Sequence, residues 1–208
     1  VLKAEKETGT MKPIERGEIL GLAEYEQIRE PFRARVIAQK KRRRVPVGPK
    51  LTAMFENRDT VLLQIQEMLR TERITRPGAV QHELDTYNEL VPGAGEISCT
   101  LMVEIPDKDE REAFLVAAKG LEKHVSLVGG SQRMGARSID RGGTDARTTA
   151  VHYLRFTLPP GLAAALHGAA TGSDTVTHLE IVVDHPAYEA RAPLPLETIL
   201  ELGEDLAS

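Results

Sequence analysis

At 208 residues with a single cysteine, the chain can form no internal disulfide and cannot by itself ligate an iron–sulfur cluster or a structural zinc. A net charge of −4 and a pI near 5.9 disfavour a large nucleic-acid interface, and no apolar run approaches the ~18 residues of a membrane span. What remains is a soluble protein with an aliphatic core, since tryptophan is absent and aromatics make up 4% of residues. The scarcity of cysteine suits the reducing cytoplasm.

No secretory leader is read at the start. Residues 1–10 are polar and precede Met11; they are expected to be a tail or an appended remnant, with one α+β domain over residues 11–208. Residues 13–20 read as a short helix, with Pro13 in its first turn. Leu22, Tyr25, Ile28, Phe32 and Val36 then recur at three- and four-residue spacing, which predicts a longer helix with one apolar face. Pro31 falls inside it, and its missing donor predicts a kink or two abutting helices. The basic run from Lys40 to Arg44 closes this helix, where cations complement the helix dipole.

Pro46, Gly48 and Pro49 break any helix, and residues 51–55 fit a short strand. Residues 58–73 form the clearest helix of the chain. Val61, Leu62, Ile65, Met68 and Leu69 lie on one side, with Thr60, Gln64, Glu67 and Thr71 on the other. Asn57 or Asp59 is placed to cap it, or its N-terminus with Arg58 is placed to hold an anion. Gln64 and Glu67 share a face, but without a histidine three residues on they do not make a carboxylate-bridged iron motif. A further helix runs from Pro77 to Leu90 and ends at the turn Pro92-Gly93.

Residues 96–105 alternate as a half-buried strand. Ile97, Cys99, Leu101, Val103 and Ile105 face one way, so Cys99 reads as a buried, inert thiol. Asp107 with Glu110 opens a helix to about Lys119. A strand at 124–128 precedes a stretch at 129–148 rich in glycine and arginine. Arg133, Arg137, Arg141 and Arg147 fall there, and it is expected to be disordered or a phosphate- or RNA-binding loop. A strand at 149–158, a helix at 160–170 and a strand at 176–184 follow, short enough in connection to allow a parallel crossover. Residues 196–206 read as a final helix. The expected architecture is α+β: N-terminal helices, then a mixed β-sheet packed against helices.

No serine-hydrolase elbow, zinc-protease pair or dinucleotide fingerprint is present. The candidate ligand-binding residues are Glu56, Arg58, Asp59, Gln64, Glu67, Arg70, His152, Arg155, Asp184 and His185. They are expected to gather around a cavity between the central helix and the sheet. Weak metal candidates are His152, His178, Glu180 and Asp184, because a histidine and carboxylates two apart share one face of a strand.

Several stretches carry a family resemblance. They are Tyr25-Glu26-Gln27-Ile28-Arg29, the run from Lys40 to Arg44 continuing to Gly48-Pro49, Phe55 to Thr60 running into Gln64 to Arg70, and Thr86-Tyr87-Asn88. Residues 100–105, Val151 to Phe156 and Asp184 to Tyr188 complete the set. Together, over about Met11 to Leu206, they resemble a bacterial family described as a domain of unknown function, number 3501, most specifically in residues 55–70. Members are often encoded near rubrerythrin and a heterodisulfide-reductase-like iron–sulfur protein. The resemblance therefore implies an accessory protein that binds a redox partner in peroxide or electron-transfer physiology. It transfers no catalytic residue and no cofactor. Two alternatives stand beside it: a metal- or small-ligand-dependent enzyme with a carboxylate, histidine and arginine site, and an RNA binder acting through Lys40–Arg44 and the arginine-rich loop.

Overall fold

The computed structural model describes residues 11–139, 146–173 and 178–206. The first helix, α1 (Leu22–Arg42), runs through Pro31 as one element. Pro31 and Gln27 are both exposed, so the carbonyl that loses its donor lies on the solvated side, where water can meet it. The stretch before α1 is mostly irregular; only Arg16–Glu18 forms a single 3-10 turn in place of the expected helix. A hairpin follows, β1 (Arg44–Val47) and β2 (Leu51–Glu56), turning at Gly48, whose positive φ of 68° suits glycine.

Next come α2 (Arg58–Thr71), α3 (Pro77–Asn88) and β3 (Glu96–Val103). The Asn57 side chain caps α2 by accepting the Thr60 N–H at 3.0 Å. In α4 (Lys108–Ala117) the Asp107 carboxylate accepts the Glu110 N–H at 2.7 Å. Asp107→Ala should therefore cost about 1 kcal/mol in urea unfolding, and Asp107→Asn much less.

The remaining elements of the described residues are β4 (Val125–Gly129), β5 (Gln132–Gly135), β6 (Arg137–Ile139), β7 (Val151–Thr157), α5 (Pro160–Ala170), β8 (Leu179–His185), β9 (Tyr188–Pro193) and α6 (Leu196–Asp205). The architecture is α+β, but the strands form two sheets, of order β1-β2-β3-β7-β6 and β5-β4-β8-β9. Every described ladder is antiparallel, so β7 and β8 fall in different sheets and make no parallel crossover. Of the stretch 129–148, expected to be disordered or a ligand loop, residues 132–135 and 137–139 instead form β5 and β6, while residues 140–145 lie outside the described residues. This ribbon pairs first with β4 and then with β7, and so joins the two sheets. Arg133, Arg137 and Arg147 make ion pairs with Asp184, Glu96 and Glu112; Arg141 lies outside the described residues.

Among the described residues two apolar cores result. The larger takes Leu51, Ala53 and Phe55 of β2 with Ile97, Cys99 and Leu101 of β3, and packs them against Leu127, Ile181, Leu166 and Leu202. The smaller lies among Ile14, Val61, Ile65, Leu69, Leu84 and Tyr87. The first sheet thus has the main core on one face and helices on the other. This is why β2 is buried along its whole length instead of alternating.

The C-terminal helix ties the end of α1 to α5. Arg43, only 1% exposed, donates to Glu201 at 2.9 Å and to Asp205 at 2.5 Å. Gly203 lets α6 lie directly on α5: a Cβ there would run into the Leu166 carbonyl and lie 2.8 Å from the Ala170 Cβ.

Candidate functional site

Period-two alternation places Thr52, Met54 and Glu56 of β2 on the helix-facing side of the first sheet. Thr100 and Met102 of β3 and Tyr153 of β7 share that side, with Thr100 directly opposite both Met54 and Tyr153. Ile37 and Lys40 of α1, Val61 and Gln64 of α2, and Tyr87 at the end of α3 cover it. They leave a cleft of about 370 Å³ that Lys41, Arg44 and Leu90 complete.

The lining of the cleft mixes a carboxylate, basic and neutral polar side chains with apolar ones. In its floor lies Glu56, 7% exposed, with one carboxylate oxygen accepting the Thr60 hydroxyl and the other the Thr100 hydroxyl, both at 2.6 Å. Among the described residues, no cation forms an ion pair with Glu56. Thr60 also meets the N-cap of α2, since its hydroxyl oxygen accepts the Asn57 N–H at 2.9 Å. The walls are Met54, Met102, Ile37, Val61 and Leu90. Lys40, Lys41 and Arg44 bring positive charge to the lining, and Arg44 is paired with Glu104. The Glu104 carboxyl is held below its ordinary value by the Thr52 hydroxyl and by Arg44.

Of the candidates read from the sequence, this cleft brings together Glu56 and Gln64. The others lie elsewhere. Arg58 pairs with Glu18, and Asp59 with Arg35. Arg70 meets Glu26 at the edge of a separate, open hollow. Arg155 clamps the chain between α3 and β3 through the Glu89 and Val91 carbonyls and the Glu96 carboxylate. His152 is turned away from the cleft: it lies 3.3 Å from the Thr148 hydroxyl and 4.0 Å from Glu122, and burial lowers its pKa. Asp184 pairs with Arg133, while His185 lies 3.0 Å from the Lys119 carbonyl and accepts the Ala187 N–H. His178 is exposed and Glu180 pairs with Arg191. Among the described residues no three histidine, cysteine or acidic side chains are grouped to hold a metal.

Glu67 ties α1 to α2. It accepts two hydrogen bonds from Arg29, at 2.8 and 2.9 Å, and one from the Tyr25 hydroxyl at 2.7 Å. Arg29, and then Tyr25, hold its carboxyl below the ordinary value of 4.5. A carboxyl depressed by folding stabilises the fold above its unfolded pKa, and that stability is lost as pH falls through the lower folded value. Urea midpoints should therefore fall on acidification below pH ~4.5, and Glu67→Gln should flatten that part of the profile while lowering the midpoint at pH 7.

The basic run is divided by the fold. Lys40, Lys41 and Arg44 line the cleft, while Arg42 and Arg43 turn to Glu201 of α6. Thr100, Met102, Tyr87 and Tyr153 were not singled out as site residues. The signal for the first two was the second face of the 96–105 strand, which reads as solvent-facing because nothing local announces the helices that cover it. Cys99 points into the main core, and burial pushes its thiol far up.

A family model described as a protein of unknown function (DUF3501) matches residues 13–206. A crystal structure of a novel protein of unknown function from Burkholderia pseudomallei is 33% identical, with a TM-score of 0.84, covering 93% of this chain and 99% of that one. No curated protein matches. No described helix is long and apolar enough to cross a membrane.

Proposed function

Since the chain belongs to the DUF3501 family, for which a function must be read from the site itself, we propose that it is a small-molecule-binding accessory protein. Its binding site is the cleft between the first sheet and α1, α2 and α3. One observation carries this reading: a preformed, mainly apolar cavity of about 370 Å³ converges on a nearly buried carboxylate, the usual make-up of a ligand pocket.

The test is a thermal-shift screen of small organic acids and amines against the wild type and Met102→Trp, which fills the cleft. Binders should stabilise the wild type by about 2.7 kcal/mol at a hundredfold excess over Kd and leave the filled variant unmoved. Compounds that shift both proteins equally would count against the cleft.

The iron–sulfur and rubrerythrin-linked setting implied by the resemblance gives this binder a place of work. In that setting the protein supplies or senses a small molecule for a redox partner and carries no electrons through its own thiol, because Cys99 is buried. Anaerobic pull-down with rubrerythrin-like and iron–sulfur proteins checks the association; no capture in either direction removes the redox setting and leaves the cleft.

A further inference from the structure

The floor and rim of the cleft carry opposite charge, and we infer that its ligand is a small zwitterion. A primary ammonium faces Glu56, and a carboxylate or phosphate faces Lys40 and Lys41. The inference rests on the cleft being a ligand site and adds the chemistry of what enters it.

The floor presents acceptors. A carboxylate has about four lone-pair sites, and the Thr60 and Thr100 hydroxyls occupy one on each oxygen of Glu56. In giving their protons to Glu56, the threonines turn lone pairs outward, not O–H groups. The Thr60 oxygen already accepts from the Asn57 backbone, so of this cluster Glu56 and Thr100 are what a ligand meets. A buried carboxylate with no cation within ion-pair distance among the described residues is costly unless something compensates it. An ammonium is compact, has three donors and no acceptor, and supplies the missing charge.

The rim presents donors. Lys40 and Lys41 line the cleft, and among the described residues neither takes part in an ion pair, whereas Arg44 is held by Glu104. Lysine is a point-charge partner for carboxylate and phosphate alike. Beside Gln64, Tyr87 and Tyr153, the lining includes the apolar side chains Met54, Met102, Ile37 and Val61, which suit a short hydrocarbon body. A cavity of about 370 Å³ lies at the small end of the range for ligand pockets.

Calorimetric titration of the full chain at pH 7 and low salt tests this with 6-aminohexanoate, hexanoate, hexylamine and aminoalkyl phosphate as probes. The two zwitterions should bind at least about tenfold more tightly than either singly charged probe, the size of one charge-assisted hydrogen bond. Whichever zwitterion is tighter separates a carboxylate from a phosphate ligand. Glu56→Gln should bring 6-aminohexanoate down to the affinity of hexanoate and leave hexanoate unchanged. The double variant Lys40→Ala/Lys41→Ala should bring it down to that of hexylamine. Should Glu56→Gln fail to fold by circular dichroism, Thr100→Val removes one acceptor of the floor and should show the same selective loss.

Equal binding of 6-aminohexanoate and hexanoate overturns the zwitterion assignment and leaves the cleft as a site for an acid. No binding of any probe also overturns it. Zwitterion binding that survives in Met102→Trp overturns the cleft itself.

Discussion

Arg43→Met should lower folding stability by about 3–5 kcal/mol, the usual effect of removing one partner from a buried ion pair. For a domain whose whole stability is about 5–15 kcal/mol, that is a large share, read as a fall in the urea midpoint or a loss of folded yield. The cause is electrostatic. Burial opposes the Arg43 charge, but the hydrogen bonds and charges of Asp205 and Glu201 outweigh it and raise the guanidinium above its ordinary value. With the arginine gone, Glu201 keeps Arg42, but the Asp205 carboxylate is left with the neutral Asn57 and with Glu201 beside it.

Burial already pushes the Asp205 carboxyl above its ordinary 3.8. Without Arg43, which opposes that rise, it must climb further. An acid whose pKa is raised by folding takes up its proton more readily in the folded state, so stability is gained as pH falls through the folded value, fully so below the unfolded one. The deficit of Arg43→Met relative to wild type should therefore shrink on mild acidification. Arg43→Lys should keep part of the stability, since the charge remains but the forked contacts are lost. A penalty below about 1 kcal/mol for Arg43→Met, independent of pH, would show that α6 is held by its apolar side alone.

Gly203→Val is the second large effect expected, at about 3 kcal/mol or more, with Gly203→Ala smaller but clear. The obstacle to a side chain here is not backbone conformation, because Gly203 lies inside a helix. It is the Leu166 carbonyl and the Ala170 methyl of α5, which cannot rotate away. Helices α5 and α6 would have to separate, and Leu166 and Leu202 would lose the contact that joins them to the main core. Gly161, with open space around it, is the control: Gly161→Ala should be close to neutral or slightly stabilising. Thermal unfolding of the three variants side by side measures the difference.

Local signals recovered the elements they govern. The α2 helix was read to within two residues of its end, the Asp107 cap was read from its spacing with Glu110, and β3 was read from its alternation. What failed depended on partners far along the chain. A run of five basic residues ending in Arg44 reads as a solvated helix end, and nothing nearby says that Arg43 is enclosed by acids 158 and 162 residues away. The β5–β6 ribbon has too few apolar residues to predict strands, and becomes ordered structure through its pairing with β4 and β7. A strand, a helix and a strand in close succession suggested a crossover, but β7 and β8 each found antiparallel neighbours in separate sheets.

The same division holds for the site. Glu56 stood out as an acid before a helix, but its face was not assigned because the strand was ended at Phe55; with Glu56 counted in, it shares a face with Met54 and Thr52. Gln64 was read on the polar side of α2, and it does line the cleft. For His152, Asp184 and His185 local sequence carries no such signal, because which sheet a strand joins decides where its polar face looks.

The clasp between Arg43 and α6 also sets an order of events in the cell. Arg43 leaves the ribosome well before Glu201, and at roughly 5–20 residues per second the 158 residues between them take roughly 8–30 s to synthesise. Throughout that interval the guanidinium lacks Glu201 and Asp205, so the α1–β1 junction lacks the clasp that holds it in the folded chain. Nascent chains stalled before Leu196 should remain open to protease at the α1–β1 junction, and become resistant there only once the last helix has emerged.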